Sequence, residues 1–231
     1  MSFSNVLTKR IANYDNPHSL ASKFRGRRLV PLISMMTKTY EANGKVNILD
    51  VGGTKAYWNI LPSSLLDDLR VTITVVNLPD CELPIDDEHF KFRQGDGCNL
   101  DNFENNSFDI VHSNSVIEHV GDWNQMVKFA EEARRLAPNL FIQTPYFWFP
   151  IEPHFMTPFF HWLPRPIRIS LILKFNLGNH THSNSVHEAA AKLENYRLLD
   201  KTMLQAVFPD ATIQSERVMR LTKSIIAIRF K

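Results

Sequence analysis

Apolar residues recur along this chain in two alternating rhythms. Between residues 17 and 42, Leu20, Phe24, Leu29, Leu32, Ile33, Met36 and Tyr40 fall mostly three or four positions apart. That spacing predicts a helix with one buried face, and Asn43-Gly44 closes it. The helical period then gives way to VNILDV (46–51), a short apolar run bounded by turn residues, as in a strand buried on both faces. VTITVV (71–76), FKFRQ (90–94), FDIVHS (108–113) and NLFIQT (139–144) read as four more strands. Helical stretches separate them, one from about Tyr57 to Leu69 with a break near Pro62. Another begins at Asp122, an N-cap with Gln125 at capping-box spacing, and runs to about Leu136.

After the fifth strand the rhythm breaks. Thr144–Pro164, TPYFWFPIEPHFMTPFFHWLP, holds eight aromatic residues and five prolines, too many prolines for a long helix. Helices are predicted from Pro166 to about Phe175, after a capping box at Ser185–Glu188, and from a cap at Asp200 through Phe208. Two β-rich runs, ATIQSERV (211–218) and KSIIAIRF (223–230), end the chain.

Strands alternating with helices predict an α/β fold, a doubly wound and mostly parallel seven-stranded sheet. The last two strands are separated by a few residues only and must pair as a hairpin, so the last strand runs antiparallel. The 231 residues suit one domain, 1–231, with an N-terminal helical extension at 1–45 and an aromatic and helical cap insertion at 145–197.

Composition narrows the class. Hydrophobic residues make up 44% and charged residues 22%, the balance of a globular protein with a real core. The net charge of +2 argues neither for nor against a nucleic-acid partner, and none is expected. Residues 1–45 carry eight Lys/Arg, Lys9 and Arg10 among them, against Asp15 and Glu41, and read as a solvated helical face, with a site for an anionic substrate or a membrane surface as the alternative. Two cysteines, Cys81 and Cys98, without a CxxC suit free thiols in a reducing cytoplasm. No apolar run approaches the length of a membrane span and no leader sequence is visible, so a cytoplasmic location is expected.

Four stretches carry chemistry, each at the carboxyl end of a predicted strand, where open α/β sheets bind ligands. In ILDVGGTKAYW, Gly52 and Gly53 allow close approach to the backbone and Asp50 offers an acceptor beside them. Asn77 tips the second strand, where a ribose would sit. In FRQGDGCNL, Asp96 follows the third strand and can accept from an adenine amine. FDIVHSNSVIEHVGD places Ser113 and Asn114 at the end of the fourth strand and His119 just beyond.

In this order the four positions resemble class I S-adenosylmethionine-dependent methyltransferases, most closely the type 11 methyltransferase domain, over roughly residues 46–144. The resemblance implies S-adenosyl-L-methionine as cofactor, with Gly52 and Gly53 on its methionine part. It implies Asn77 on the ribose hydroxyls, Asp96 on the adenine amine, and Leu78 and Gly97 flanking the ring. The chain departs from the pattern at Thr54 and Ala56, where the family carries glycines, and at Asn77, where it carries an acid. Only the first glycine of G-x-G-x-x-G is present, which disfavours a nicotinamide cofactor.

In this fold the aromatic segment leaves the sheet on the cofactor's rim. It is expected to wall the pocket of a small-molecule acceptor, with Tyr146, Trp148 and Trp162 facing the ligand and Phe147, Phe149, Phe155 and Phe159 packing the cap. Methyl transfer to oxygen calls for a base, and His119 and His154 are the candidates, with Glu152 as orienter or alternative. His180, His182 and His187 lie mostly in a loop, and no metal is expected. The alternatives are a non-catalytic methyltransferase-like subunit and transfer to nitrogen or carbon of a lipid-like acceptor at a membrane surface.

Overall fold

The computed structural model describes residues 20–80 and 82–231. Lys9, Arg10, the first residues of the expected N-terminal helix and Cys81 lie outside the described residues. Helix α1 (Leu20–Asn43) leads into β1 (Val46–Val51), and two short helices follow, α2 (Lys55–Trp58) and α3 (Ser63–Asp68). They are separated near Pro62, which cannot continue a helix from the preceding turn. Strands β2 (Val71–Asn77), β3 (Phe90–Gln94) and β4 (Ile110–Asn114) come next, then helix α4 (Trp123–Leu136) and strand β5 (Asn139–Pro145). Asp122 caps α4 by accepting from the Gln125 amide at 3.0 Å.

The cap contains a two-residue ribbon, β6 (Ile151–Glu152) with β7 (Thr157–Pro158), and helices α5 (Arg165–Lys174) and α6 (Val186–Glu194). Ser185 caps α6 through the Glu188 amide, and the Glu188 carboxylate returns to the amide of Asn184. Helix α7 (Lys201–Val207), capped by Asp200, precedes the hairpin of β8 (Thr212–Val218) and β9 (Leu221–Arg229).

The sheet has seven strands in the order β3-β2-β1-β4-β5-β9-β8. The first five pair in parallel, β9 runs antiparallel to β5, and β8 returns antiparallel to β9. Both faces are covered, and neighbouring residues of one strand feed opposite layers. Ile48 joins Leu32, Met36, Trp58 and Ile73 on the face of α1, α2 and α3. Leu49 joins Phe129, Ala133, Leu204 and Phe208 under α4 and α7. Burying one such side chain contributes about 1.5–3 kcal/mol, which explains why adjacent positions of β1, Ile48 and Leu49, are both apolar. The cap has a small core of its own, built on Phe155, Phe160, Ile172, Ala189 and Leu193. Among the described residues, no helix is long and apolar enough to cross a membrane.

Candidate active site at the carboxyl rim of the sheet

The glycine turn after β1 is shaped by what lies under it. Gly52 has φ +71°, and a Cβ there would stand 2.6 Å from Val116. A Cβ on Gly53 would stand 1.8 Å from the Asp50 carboxylate, so only glycine lets the turn fold over that side chain. Asp50 is fully buried. Its Oδ2 accepts from Trp58 Nε1 at 2.7 Å and its Oδ1 pairs with His112 Nδ1 at 2.7 Å. His112, buried on β4, reaches the Tyr57 hydroxyl with its other nitrogen at 3.3 Å. Both carboxylate oxygens are thus engaged inside the protein, and Asp50 braces the turn from below instead of facing the rim. Ser113 acts likewise, since its buried hydroxyl donates to the Val51 carbonyl at 2.9 Å.

Other residues named from the sequence stand on the rim itself. Asn77 donates its amide to the Gly53 carbonyl at 3.1 Å, tying the tip of β2 to the glycine turn. Leu78 beside it is 55% exposed. The exposed Asp96 accepts from the Cys98 amide at 2.9 Å. Gly97 packs on β1 and α4, where a Cβ would stand 2.8 Å from Val51 and 3.1 Å from Phe129. Burial beside Asp96 pushes the Cys98 thiol up to about 12, which makes it a poor nucleophile. Asn114 accepts from Arg28 of α1 at 2.6 Å, and Arg28 also pairs with Glu216 of β8 at 3.0 Å. Asn114 therefore anchors the N-terminal helix to the rim.

A second acid and histidine cluster lies two residues beyond Val116, the side chain that packs on Gly52. Ser115 holds a left-handed conformation, φ +57°, and its amide donates to the Gln143 carbonyl, which turns the chain sharply out of β4. Glu118 follows, fully buried. One of its oxygens accepts from Thr144 Oγ1 at 2.9 Å, and the other, Oε1, has no hydrogen-bond partner among the described residues. Burial pushes the Glu118 carboxyl up to about 7.

His119 turns its Nδ1 to the Asn195 carbonyl at 3.1 Å, and its Nε2 lies 3.9 Å from Glu118 Oε1. From the cap, His154 pairs through Nδ1 with Glu152 Oε1 at 2.6 Å, while Glu152, nearly buried, also accepts from the Phe155 amide. The two imidazoles meet edge to face with centroids 4.9 Å apart, and the Tyr196 ring stacks on His154 at 4.1 Å. Burial, and after it the proximity of His154, lower the basicity of His119 and favour its neutral form. His119, His154 and Glu152, picked out from the sequence 33 to 35 residues apart, thus meet in one place. His180 and His182 turn to Tyr196 and Asn176, and the exposed His187 does not join them.

The aromatic segment divides. Phe147, Phe155, His161, Arg168 and Tyr196 help line a cavity of about 310 Å³ that opens beside Glu152. In its wall, His161 is 8% exposed, and its Nδ1 and the buried Nε of Arg168 have no hydrogen-bond partner among the described residues. Tyr146 packs against the main core. Trp148 and Trp162 stand on the outside, 55% and 39% exposed, near the exposed Phe159. The side chains expected to face a ligand are therefore on the outer surface or against the sheet, and the cavity is lined by Phe147 and Phe155, which were expected only to pack. Glu118, Tyr196 and Arg168 were missed altogether. Glu118 stands beside His119 in the quoted motif, and its adjacency to a histidine in a loop after a strand was the available signal. Tyr196 lies 77 residues from His119 and had none.

Residues 49–139 match the family model described as a methyltransferase domain. No curated protein matches the chain. Among solved structures, the PH0226 protein from Pyrococcus horikoshii OT3 is similar with a TM-score of 0.52 at 18% identity, over 94% of this chain and 94% of that one. An O-methyltransferase family protein from Burkholderia thailandensis shows a TM-score of 0.46 at 15% identity over 91% of this chain, which spans 60% of the length of that protein. The N-terminal domain of EvdMO1, solved with SAH bound, shows a TM-score of 0.46 at 14% identity, over 86% of this chain and 81% of that one.

Proposed function

The chain carries a class I S-adenosylmethionine-dependent methyltransferase domain, and from that premise we propose that it methylates an oxygen of a small-molecule acceptor bound beneath the cap. One observation carries this reading. The cluster of Glu118, His119, Glu152 and His154 begins two residues from Val116, the side chain in contact with the glycine turn. The chemistry of the acceptor and the seat of the cofactor are thereby neighbours.

The rim suits the cofactor. The Asn77 side chain spends its donor on Gly53 and keeps a carbonyl oxygen, an acceptor for a ribose hydroxyl. Leu78 offers exposed apolar surface to an adenine ring, and the Asp96 carboxylate accepts from its amine. When bound, the cofactor supplies a methyl group on a sulfonium, a leaving group that departs as a neutral thioether.

The remaining work belongs to the chain. The Glu152 carboxylate can only accept, so Nδ1 of His154 carries the hydrogen and its other nitrogen keeps the lone pair. That nitrogen takes the proton of the acceptor hydroxyl as the oxygen attacks the methyl carbon in line. The wall of the cavity adds selectivity. Arg168 has no carboxylate within ion-pair distance among the described residues, which favours an acceptor bearing an acidic group.

The test is a labelled-methyl assay of the full chain against hydroxylated small molecules, with and without a carboxylate or phosphate. An O-methyl ether formed from an acidic acceptor supports the reading. Cofactor binding with no product from any acceptor would favour the non-catalytic subunit, and an N- or C-methyl product would move the chemistry elsewhere. A membrane-surface reading draws on one observation, the exposed group of Trp148, Phe159, Trp162 and Ile167. Co-sedimentation with anionic vesicles at low and high salt separates it from the first reading.

A further inference from the structure

The Glu118 carboxylate poses a problem that a base mechanism leaves unsolved. It is fully buried, and Oε1 receives no hydrogen bond among the described residues. A buried polar atom without a partner is costly and rare. His119 Nε2 is 3.9 Å away, too far for a hydrogen bond. That nitrogen has no hydrogen to give in the neutral ring either, because the Asn195 carbonyl can only accept and so claims the proton on Nδ1. Glu152 imposes the same tautomer on His154. Two imidazoles, each keeping a lone pair on its second nitrogen, therefore share one corner with the orphaned Glu118 carboxylate. One ring nitrogen of His119, one of His154 and a carboxylate oxygen of Glu118 all lie within 4.8 Å of one another.

We propose that Glu118, His119 and His154 bind a first-row divalent metal ion. The donor set of two imidazoles and one carboxylate suits zinc, cobalt, iron and manganese. Each ligand is already oriented by an outer partner, Thr144 for Glu118, the Asn195 carbonyl for His119 and Glu152 for His154. This is the supporting shell that metal-bound histidines and carboxylates require. Zinc holds nitrogen and oxygen at about 2.0–2.2 Å, so the three side chains draw together by about an ångström. His119, with 38% of its side chain exposed, has the freedom to do so.

Three protein ligands leave a coordination position open for the acceptor oxygen. The ion acidifies that hydroxyl, its proton passes to solvent, and the bound oxygen attacks. The O–CH₃ bond forms as the S–CH₃ bond breaks, and the bonding pair stays on sulfur. The inference rests on reading this cluster as the acceptor site, and it assigns the activation of the oxygen to the ion instead of a free imidazole.

The test titrates the EDTA-stripped full chain with Zn²⁺ by calorimetry and with Co²⁺ by its visible absorption. Binding of S-adenosylhomocysteine serves as the measure of an intact fold. One equivalent should bind, and Glu118→Gln and His154→Ala should each weaken binding by at least about tenfold with S-adenosylhomocysteine binding retained. No saturable binding, or binding unmoved in both variants, overturns the metal site. If the stripped chain turns over at the full rate while His154→Ala remains inactive, the ion falls and the base mechanism stands.

Discussion

Among the described residues, Asp50–His112 and the cluster around Glu118 both join a buried acid to histidine near the carboxyl ends of the central strands, and they differ in one respect. In Asp50–His112 both carboxylate oxygens are taken, by Trp58 and His112, and the glycine turn seals the group from the rim. In the Glu118 cluster one oxygen has no hydrogen-bond partner among the described residues, and each histidine is held through Nδ1 by an acceptor, which leaves a lone pair on its second nitrogen. Burial alone does not separate them, since Asp50 and Glu118 are equally inaccessible. Saturation does. A satisfied network rigidifies the fold, whereas an unsatisfied one stores a demand that a ligand can meet.

The sharpest way to break this comparison is to remove one member of the open cluster. His154→Ala should lower turnover by about 10²–10⁴, the scale of a group that activates the acceptor, with cofactor affinity nearly unchanged. Steady-state kinetics beside cofactor calorimetry read both, and a fully active variant would place the chemistry elsewhere. The closed network should respond the other way. Asp50→Ala strands the Trp58 and His112 donors in the core and should cost about 3–5 kcal/mol of stability, seen as a lower urea midpoint. A variant as stable as the parent would show that saturation is not what distinguishes the two sites.

Smaller effects sharpen the rim. Asp96→Ala should weaken S-adenosylmethionine by about 1–3 kcal/mol in calorimetry while the urea midpoint holds, because this carboxylate is exposed and braces only the Cys98 turn. Smallest is Asn77→Asp. It restores the carboxylate usual in the methyltransferases that the chain resembles, but it loses the donor to the Gly53 carbonyl, a bond worth about 1 kcal/mol. The affinity should stay within about tenfold of the parent, and a larger loss would mean that Asn77 serves the glycine turn alone.

Legibility in the sequence followed the range of the interactions. The five parallel strands and the terminal hairpin were readable because short β-rich runs bounded by turn residues are a local signal. Asp122, Ser185 and Asp200 were readable as caps because capping spans three residues. The convergence of His119 and His154 was readable only through topology, since one follows β4 and the other follows β5, which are neighbours. What escaped were pairings across the fold. Asp50 looked like a rim acceptor because nothing in ILDVGG tells that Trp58 and His112 fold back beneath it. Trp148 and Trp162 looked like ligand contacts because composition says that aromatics gather, not which way each one points.

The cap is stitched to the corner it covers. The Arg197 amide donates to the Glu118 carbonyl at 2.9 Å, His119 reaches the Asn195 carbonyl, and the Phe147 amide donates to the Leu199 carbonyl at 2.9 Å. Exchange of this segment for that of another methyltransferase would therefore do more than alter acceptor preference. It would take away His154, the carbonyl that sets the His119 tautomer and the amide that holds the Glu118 backbone, all in one cut. If the cap holds the acceptor as proposed, specificity and reactivity share one stretch of polypeptide, and acceptor range should be re-engineered by point changes in the cavity wall, leaving residues 195–199 and His154 in place.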